Sequence, residues 1–218
     1  MKRCCLWVVP VILALGLTSG CQSVYYSTLE QFGVYKRDIL VDRVKEARDS
    51  QQEAKKEFAS ALEQFKSVVK VDGGELEAKY NKLNAALQKS ESEAANVRKR
   101  IKSVEDVSEA LFSEWEKELK QYHSETLRNA SREKLDATRR KYEQLIGAMK
   151  KAEAKLEPVL IPLRDQVLFL KHNLNAKAIS SLGGELQTVQ GNVDSLIRDM
   201  EASIAEADAF IKAMAATE

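Results

Sequence analysis

"LVDRVKEARDSQQEAKKEFASALEQFKSVV", residues 40–69, decides the fold. Leu40, Val44, Ala47, Gln51, Ala54, Phe58, Ala61, Phe65 and Val68 recur at spacings that alternate between four and three. A strand would repeat every second residue. The alternation instead keeps one helical face turned toward a partner helix, as in a heptad seam. Most intervening positions are Asp, Glu, Lys, Arg, Gln or Ser, and Ala, Glu, Lys and Gln are among the residues with the lowest cost in a helix.

The same reading extends toward the C-terminus. Gly73 and Gly74 interrupt the first seam, because paired glycines tolerate the positive φ that ends a helix. A second seam then passes through Leu76, Tyr80, Leu83, Leu87, Ser90, Ala94, Val97, Ile101, Val104, Ser108, Leu111 and Trp115, and slips phase near Leu119 and Tyr122. A turn in this region rests on Asn129 as a helix end and Ser131 as the next N-cap. The third seam runs from Leu135 through Thr138, Tyr142, Leu145, Met149, Ala152, Leu156, Val159, Leu163, Val167 and Leu170 to Leu174. It keeps phase across Pro158 and Pro162, which therefore read as kinks in one helix rather than a reversal. Gly183 and Gly184 are read as the next break. Val189, Val193, Leu196, Met200, Ala207, Phe210 and Met214 form the last seam, which Ile197, Ile204 and Ile211 widen. These patterns predict an all-α, elongated up-and-down bundle of four long helices with coiled-coil seams, at about 29–70, 75–125, 131–182 and 185–216. The alternative fuses the second and third helices into one rod of roughly 160 Å.

The N-terminus has a different composition. Lys2 and Arg3 precede an apolar run from Leu6 to Leu17, broken by Pro10, and then small residues to Gly20. This order outlines a secretion signal, and the run is shorter than the ~20 residues a membrane span requires. "LTSGC", residues 17–21, resembles the lipobox of bacterial lipoproteins, in which cleavage between Gly20 and Cys21 leaves a cysteine whose sulfur carries diacylglycerol. Thr18 stands where that pattern more often has leucine. The resemblance implies a signal peptide over 1–20, lipidated Cys21 with a short tether over 21–28, and, with Gln22 after the cysteine, the outer membrane. Ordinary secretion with a free thiol is the alternative. Disulfide pairing lacks a partner, because Cys4 and Cys5 lie in the segment to be removed.

Without residues 1–20 the chain has 32 basic residues (34 less Lys2 and Arg3) against 33 acidic ones. A near-neutral balance provides no global attraction to nucleic acid. Two basic clusters, Arg98–Arg100 with Lys102 and Arg139–Lys141, alternate with carboxylates and read as solvated helix faces, as do Asp38, Asp42 and Glu46 among Arg37, Arg43 and Lys45. His123 and His172 are the two histidines, and neither has a His or Cys partner at metal-ligand spacing. The glycine pairs lack the Lys-Ser/Thr of a phosphate loop. No catalytic residue, metal or cofactor is expected.

Residues 29–65 and "RDQVLFLKHNLNAKAISSL", residues 164–182, together with the overall layout, resemble an uncharacterised gammaproteobacterial lipoprotein family known as a domain of unknown function. That resemblance implies a lipid-anchored helical protein and no activity. The resulting expectation is an outer-membrane lipoprotein facing the periplasm, with a structural or interaction role. Its partners would be the membrane, through the N-terminal lipid, and an envelope protein, with a homo-oligomer as a further option. A helical module that encloses a lipid or other apolar ligand is the alternative, and would need a cavity left by Ala47, Ala54, Ala61, Ser90 and Ala94. In "PVLIPLRDQVLFL", residues 158–170, Leu160, Ile161, Leu168 and Phe169 lie off the seam. They are a core or interaction segment; burial in the core is the favoured reading, since each such side chain contributes ~1.5–3 kcal/mol when buried.

Overall fold

The computed structural model describes residues 35–70 and 75–216. Lys36–Glu218 is one compact unit. Among the described residues it is built from helices α1 (Lys36–Val69), α2 (Leu76–Leu119), α3 (Glu125–Ala154), α4 (Leu156–His172) and α5 (Ala176–Ala215), with no strand. Because only Lys155 separates α3 from α4, the two behave as one broken rod, and the unit is a four-helix bundle. At 1.5 Å per residue, the 44 residues of α2 extend about 66 Å.

Cross-helix ion pairs define the topology. Lys36 pairs with Glu114 and Arg100 with Glu46, so α1 and α2 are antiparallel. Arg139 with Glu116, Lys150 with Glu105, Arg98 with Glu157 and Arg164 with Glu91 show α3 and then α4 descending α2 in one unbroken register. Arg48 with Asp208 and Lys55 with Glu201 set α5 antiparallel to α1. Each rod thus has two antiparallel neighbours.

All nine seam residues of α1 are buried. So are the second seam from Leu83 to Leu111 and the third from Leu145 to Leu170. Tyr80, Trp115, Thr138 and Tyr142 are half-buried. Trp115 and Tyr142 complete a hydrophobic cluster with Phe112, Leu119 and Leu135, where the middle of α3 packs on the end of α2.

Three boundaries differ from the expectation. The second helix ends at Leu119, not 125, and the third begins at Glu125, not 131; the phase slip at Leu119 and Tyr122 was the true end signal. Ser124, not Ser131, is the N-cap, its hydroxyl accepting from the Leu127 N–H at 3.4 Å, while Ser131 lies inside α3 and accepts from Trp115 Nε1 at 2.9 Å. The fused α2–α3 rod is therefore excluded, because the turn folds α3 back along α2.

The second correction concerns the last helix. Gly183 and Gly184 do not break it; they lie within α5, and the reversal falls at Asn173–Asn175. Asn173 adopts a non-helical φ of −133°, and its side-chain amide donates to the Phe169 carbonyl at 2.9 Å, satisfying an acceptor that the helix end leaves free. Leu174, assigned to the third seam, sits exposed in this turn. The four-three pattern in fact runs through the glycines: Leu182, Val189, Val193, Leu196, Met200, Ser203, Ala207, Phe210 and Met214 are buried on one line, with Leu186 half-buried between the first two. Ile197, Ile204 and Ile211 flank it, half-buried.

The third correction is the interruption at Lys155. A proline ring clashes with the carbonyl four residues earlier. For Pro158 that residue is Ala154, where α3 ends. Pro158 itself occupies the first turn of α4, where a missing N–H costs little. The chain is kinked and does not reverse, as the seam implied.

Candidate functional site

Residues 1–34, where the signal peptide, the cleavage between Gly20 and Cys21, the tether and the start of the first helix at 29 are expected, lie outside the described residues, as do Gly73 and Gly74. Of the four off-seam residues near the prolines, Leu160 is buried, at 1% exposure. Ile161, Leu168 and Phe169 are 50%, 61% and 42% exposed, which overturns the core reading for these three. The reason is geometric. Leu163, Val167 and Leu170 already fill the face that α4 turns toward α2 and α5, and among the described residues no further helix packs on the outer face.

Ile161 and Leu168 are seven residues apart, so they lie on one side of α4 about 10 Å along the axis. Phe169 adjoins Leu168, and the exposed Asp165 sits between the two turns. The outer face is therefore an apolar stripe interrupted by one carboxylate. Leu174, exposed in the following turn, extends it toward the end of the bundle where α1 also ends. Gly183 marks the same end, since a Cβ there would come 3.9 Å from Val69 Cγ1. Lys36 and its partner Glu114 mark the opposite end.

The stripe is mounted on a braced segment. Glu157 is held between Arg98, at 2.8 Å, and Arg164, at 2.6 Å, and Arg164 also reaches Glu91. On the other side of the joint, Asp199 of α5 pairs with Lys151, at 2.9 Å, and with Lys155. Hydrogen bonds from Arg164 and Arg98 hold the Glu157 carboxyl below its ordinary range. Those from Lys155 and then Lys151 do the same for Asp199, more than offsetting its desolvation.

The other residues singled out by sequence are placed as ordinary surface. His123 is exposed in the α2–α3 turn and His172 is exposed in the last turn of α4. Among the described residues no group of three His, Cys, Asp or Glu side chains could hold a metal ion, and no helix is long and apolar enough to cross a membrane. Asp42 pairs with Lys45, and Glu46 with Arg43 and Arg100. The basic clusters are largely answered, although by partners distant in sequence: Arg98 by Glu157, Arg100 by Glu46 and Arg139 by Glu116.

Sequence reasoning missed two buried polar features. Gln51 was assigned to the seam, but its side-chain amide is fully buried with neither N nor O partnered. Ser203, likewise buried with an unpartnered hydroxyl, fills the seam position between Met200 and Ala207. The four-three spacing from Met200 would have found Ser203.

In comparison with known proteins, a family model described as "Protein of unknown function (DUF2959)" matches residues 25–214. The sequence has no match among curated proteins.

Proposed function

We propose an anchored-spacer role for this chain, which belongs to the DUF2959 family of proteins of unknown function. In this reading Cys21 carries lipid in the outer membrane, the bundle projects into the periplasm, and the outer face of α4 docks an envelope protein. The exposure of Ile161, Leu168 and Phe169 on a segment tied to α2 through Arg98–Glu157 and Arg164–Glu91 carries the docking half of the proposal. Large apolar side chains grouped on a stable surface mark interaction sites more often than isolated ones do. Their placement away from the Lys36 end supports the spacer half, since Cys21 joins the bundle through that end of α1. The rival reading, a ligand enclosed between helices, would need a cavity beside Ala47, Ala54, Ala61, Ser90 and Ala94; all five are fully buried, and close helix packing accounts for small residues there equally well.

The test combines Leu168→Lys with Phe169→Lys and crosslinks the protein in intact cells. Both side chains face solvent, so the double variant should melt within about 0.5 kcal/mol of the parent and lose its crosslinked partner. Retention of the same partner would overturn the docking role. The anchor is tested separately, by intact mass: lipid on a chain that begins at Cys21, and release from membranes in Cys21→Ala. An unmodified N-terminus elsewhere would remove it.

A further inference from the structure

At the end of the bundle where α1 begins, a cavity of about 300 Å³ lies between the start of α1, the end of α2, α3 and the end of α5. Its apolar lining comes from Trp115, Ala137, Ala213 and Met214, and Lys134 and Lys141 supply its cations, with Arg37 at its edge; among the described residues no carboxylate lines it. Lys134, Ala137, Thr138 and Lys141 follow the i, i+3, i+4, i+7 spacing that brings side chains onto one helical face. The neighbouring acids Glu133, Asp136 and Glu143 fall outside that set. Neither Lys134 nor Lys141 is paired with a carboxylate among the described residues, whereas Arg139, between them, is engaged by Glu116 and lies 5.1 Å from the Phe112 ring centroid. The apolar wall is held in place, because Trp115 Nε1 donates to Ser131 Oγ.

We infer that this cavity seats the headgroup and first acyl carbons of an acidic membrane phospholipid. The volume is at the lower limit for small-molecule pockets, roughly 300–1,000 Å³, and suits the polar end of a lipid rather than a whole one. Charge complementarity identifies the occupant. Cations around an apolar floor match a phosphate joined to hydrocarbon, and tryptophan favours the headgroup level, where one side of the ring is apolar and the other wet. The inference rests on the anchored reading in one respect: Cys21 precedes Arg37 by sixteen residues, at most about 55 Å of extended chain, so a lipidated Cys21 limits this end of the bundle to that distance from the bilayer and leaves contact with it within reach. The site would then orient the bundle on the membrane as well as tether it.

Trp115 reports on the cavity directly. The chain has two tryptophans, Trp7 and Trp115, so Trp7→Phe leaves one fluorophore. The full chain with this change is purified in nonionic-detergent micelles and titrated with phosphatidylglycerol brominated near the top of its acyl chains, and in parallel with brominated phosphatidylcholine. Expected is saturable quenching of Trp115 by phosphatidylglycerol, about tenfold weaker with phosphatidylcholine and about tenfold weaker in Lys134→Glu/Lys141→Glu. Lys134→Arg/Lys141→Arg should retain it, and all variants should show the parent's thermal melt. Equal quenching by both lipids, quenching insensitive to charge reversal, or no quenching would each overturn the site. Intact mass on the same preparation reads the anchor independently: a lipidated chain without quenching sinks only the cavity proposal, and quenching on an unlipidated chain sinks only the anchor.

Discussion

Gln51 shows how one side chain can satisfy a pattern and still oppose stability. The seam requires a buried residue at that position, and the structure buries the amide completely without a hydrogen-bond partner. A buried polar group left unsatisfied costs about 1–3 kcal/mol. Gln51→Leu should therefore raise the free energy of unfolding by about that amount, read by urea denaturation; a destabilised variant would mean that the amide has a bonded partner in solution. Gly184 makes the opposite point. It is exposed, lies inside α5 without a positive φ, and a Cβ there would meet nothing within 4 Å. Gly184→Ala should stabilise by about 0.5–1 kcal/mol, through helix propensity alone. A loss of stability there would place a helix break back at the glycine pair.

Among the elements, the α3–α4 joint has the most specific chemistry. Pro158 and Pro162 weaken the helix locally, and ion pairs to α2 and α5 hold the broken rod in line. Glu157 and Asp199 both have carboxyl pKa values lowered by their cationic partners. A carboxylate of lowered pKa binds fewer protons when folded, so its contribution is complete above the unfolded value, about 4. That contribution disappears as pH falls from there through the folded-state value. The bundle should accordingly lose stability below about pH 4, and Asp199→Asn should flatten the acid limb while lowering stability at neutral pH. An unchanged acid limb in Asp199→Asn would remove Asp199 from the brace. Glu157 is largely solvated, where exposed pairs contribute little, so its variant should shift the limb less.

For the whole unit, each rod touches two others around one interior, and cooperativity follows from that sharing. Leu145 and Met149 of α3, Phe58 of α1 and Val97 of α2 are all fully buried. Removing part of such a side chain loses contacts with more than one helix. Leu145→Ala is expected to cost about 2–5 kcal/mol, and unfolding followed by circular dichroism and by Trp115 fluorescence should coincide. Two separated transitions would indicate that the α3–α4 rod melts independently of the rest.

What the sequence determined by itself was the helical state and the inward face of each helix. The four-three spacing of Leu40 to Val68, or Leu145 to Leu170, is a local property: a helix with 3.6 residues per turn places those side chains on one side whatever it later packs against. Breaks were less legible. Both a glycine pair and an asparagine-rich turn permit a helix to end, and the choice between Gly183–Gly184 and Asn173–Asn175 depended on where α5 could meet α1 and α3, with Gly183 coming beside Val69. Only the tertiary structure decided the fate of the surplus apolar residues on α4. Leu160 and Ile161 are adjacent and chemically alike, yet one is buried and the other half exposed, because a bundle covers only the sides of a helix that face its neighbours. The cationic cavity is likewise a property of assembly, since Arg37, Trp115, Lys134 and Met214 are far apart along the chain and meet only where four helix segments converge.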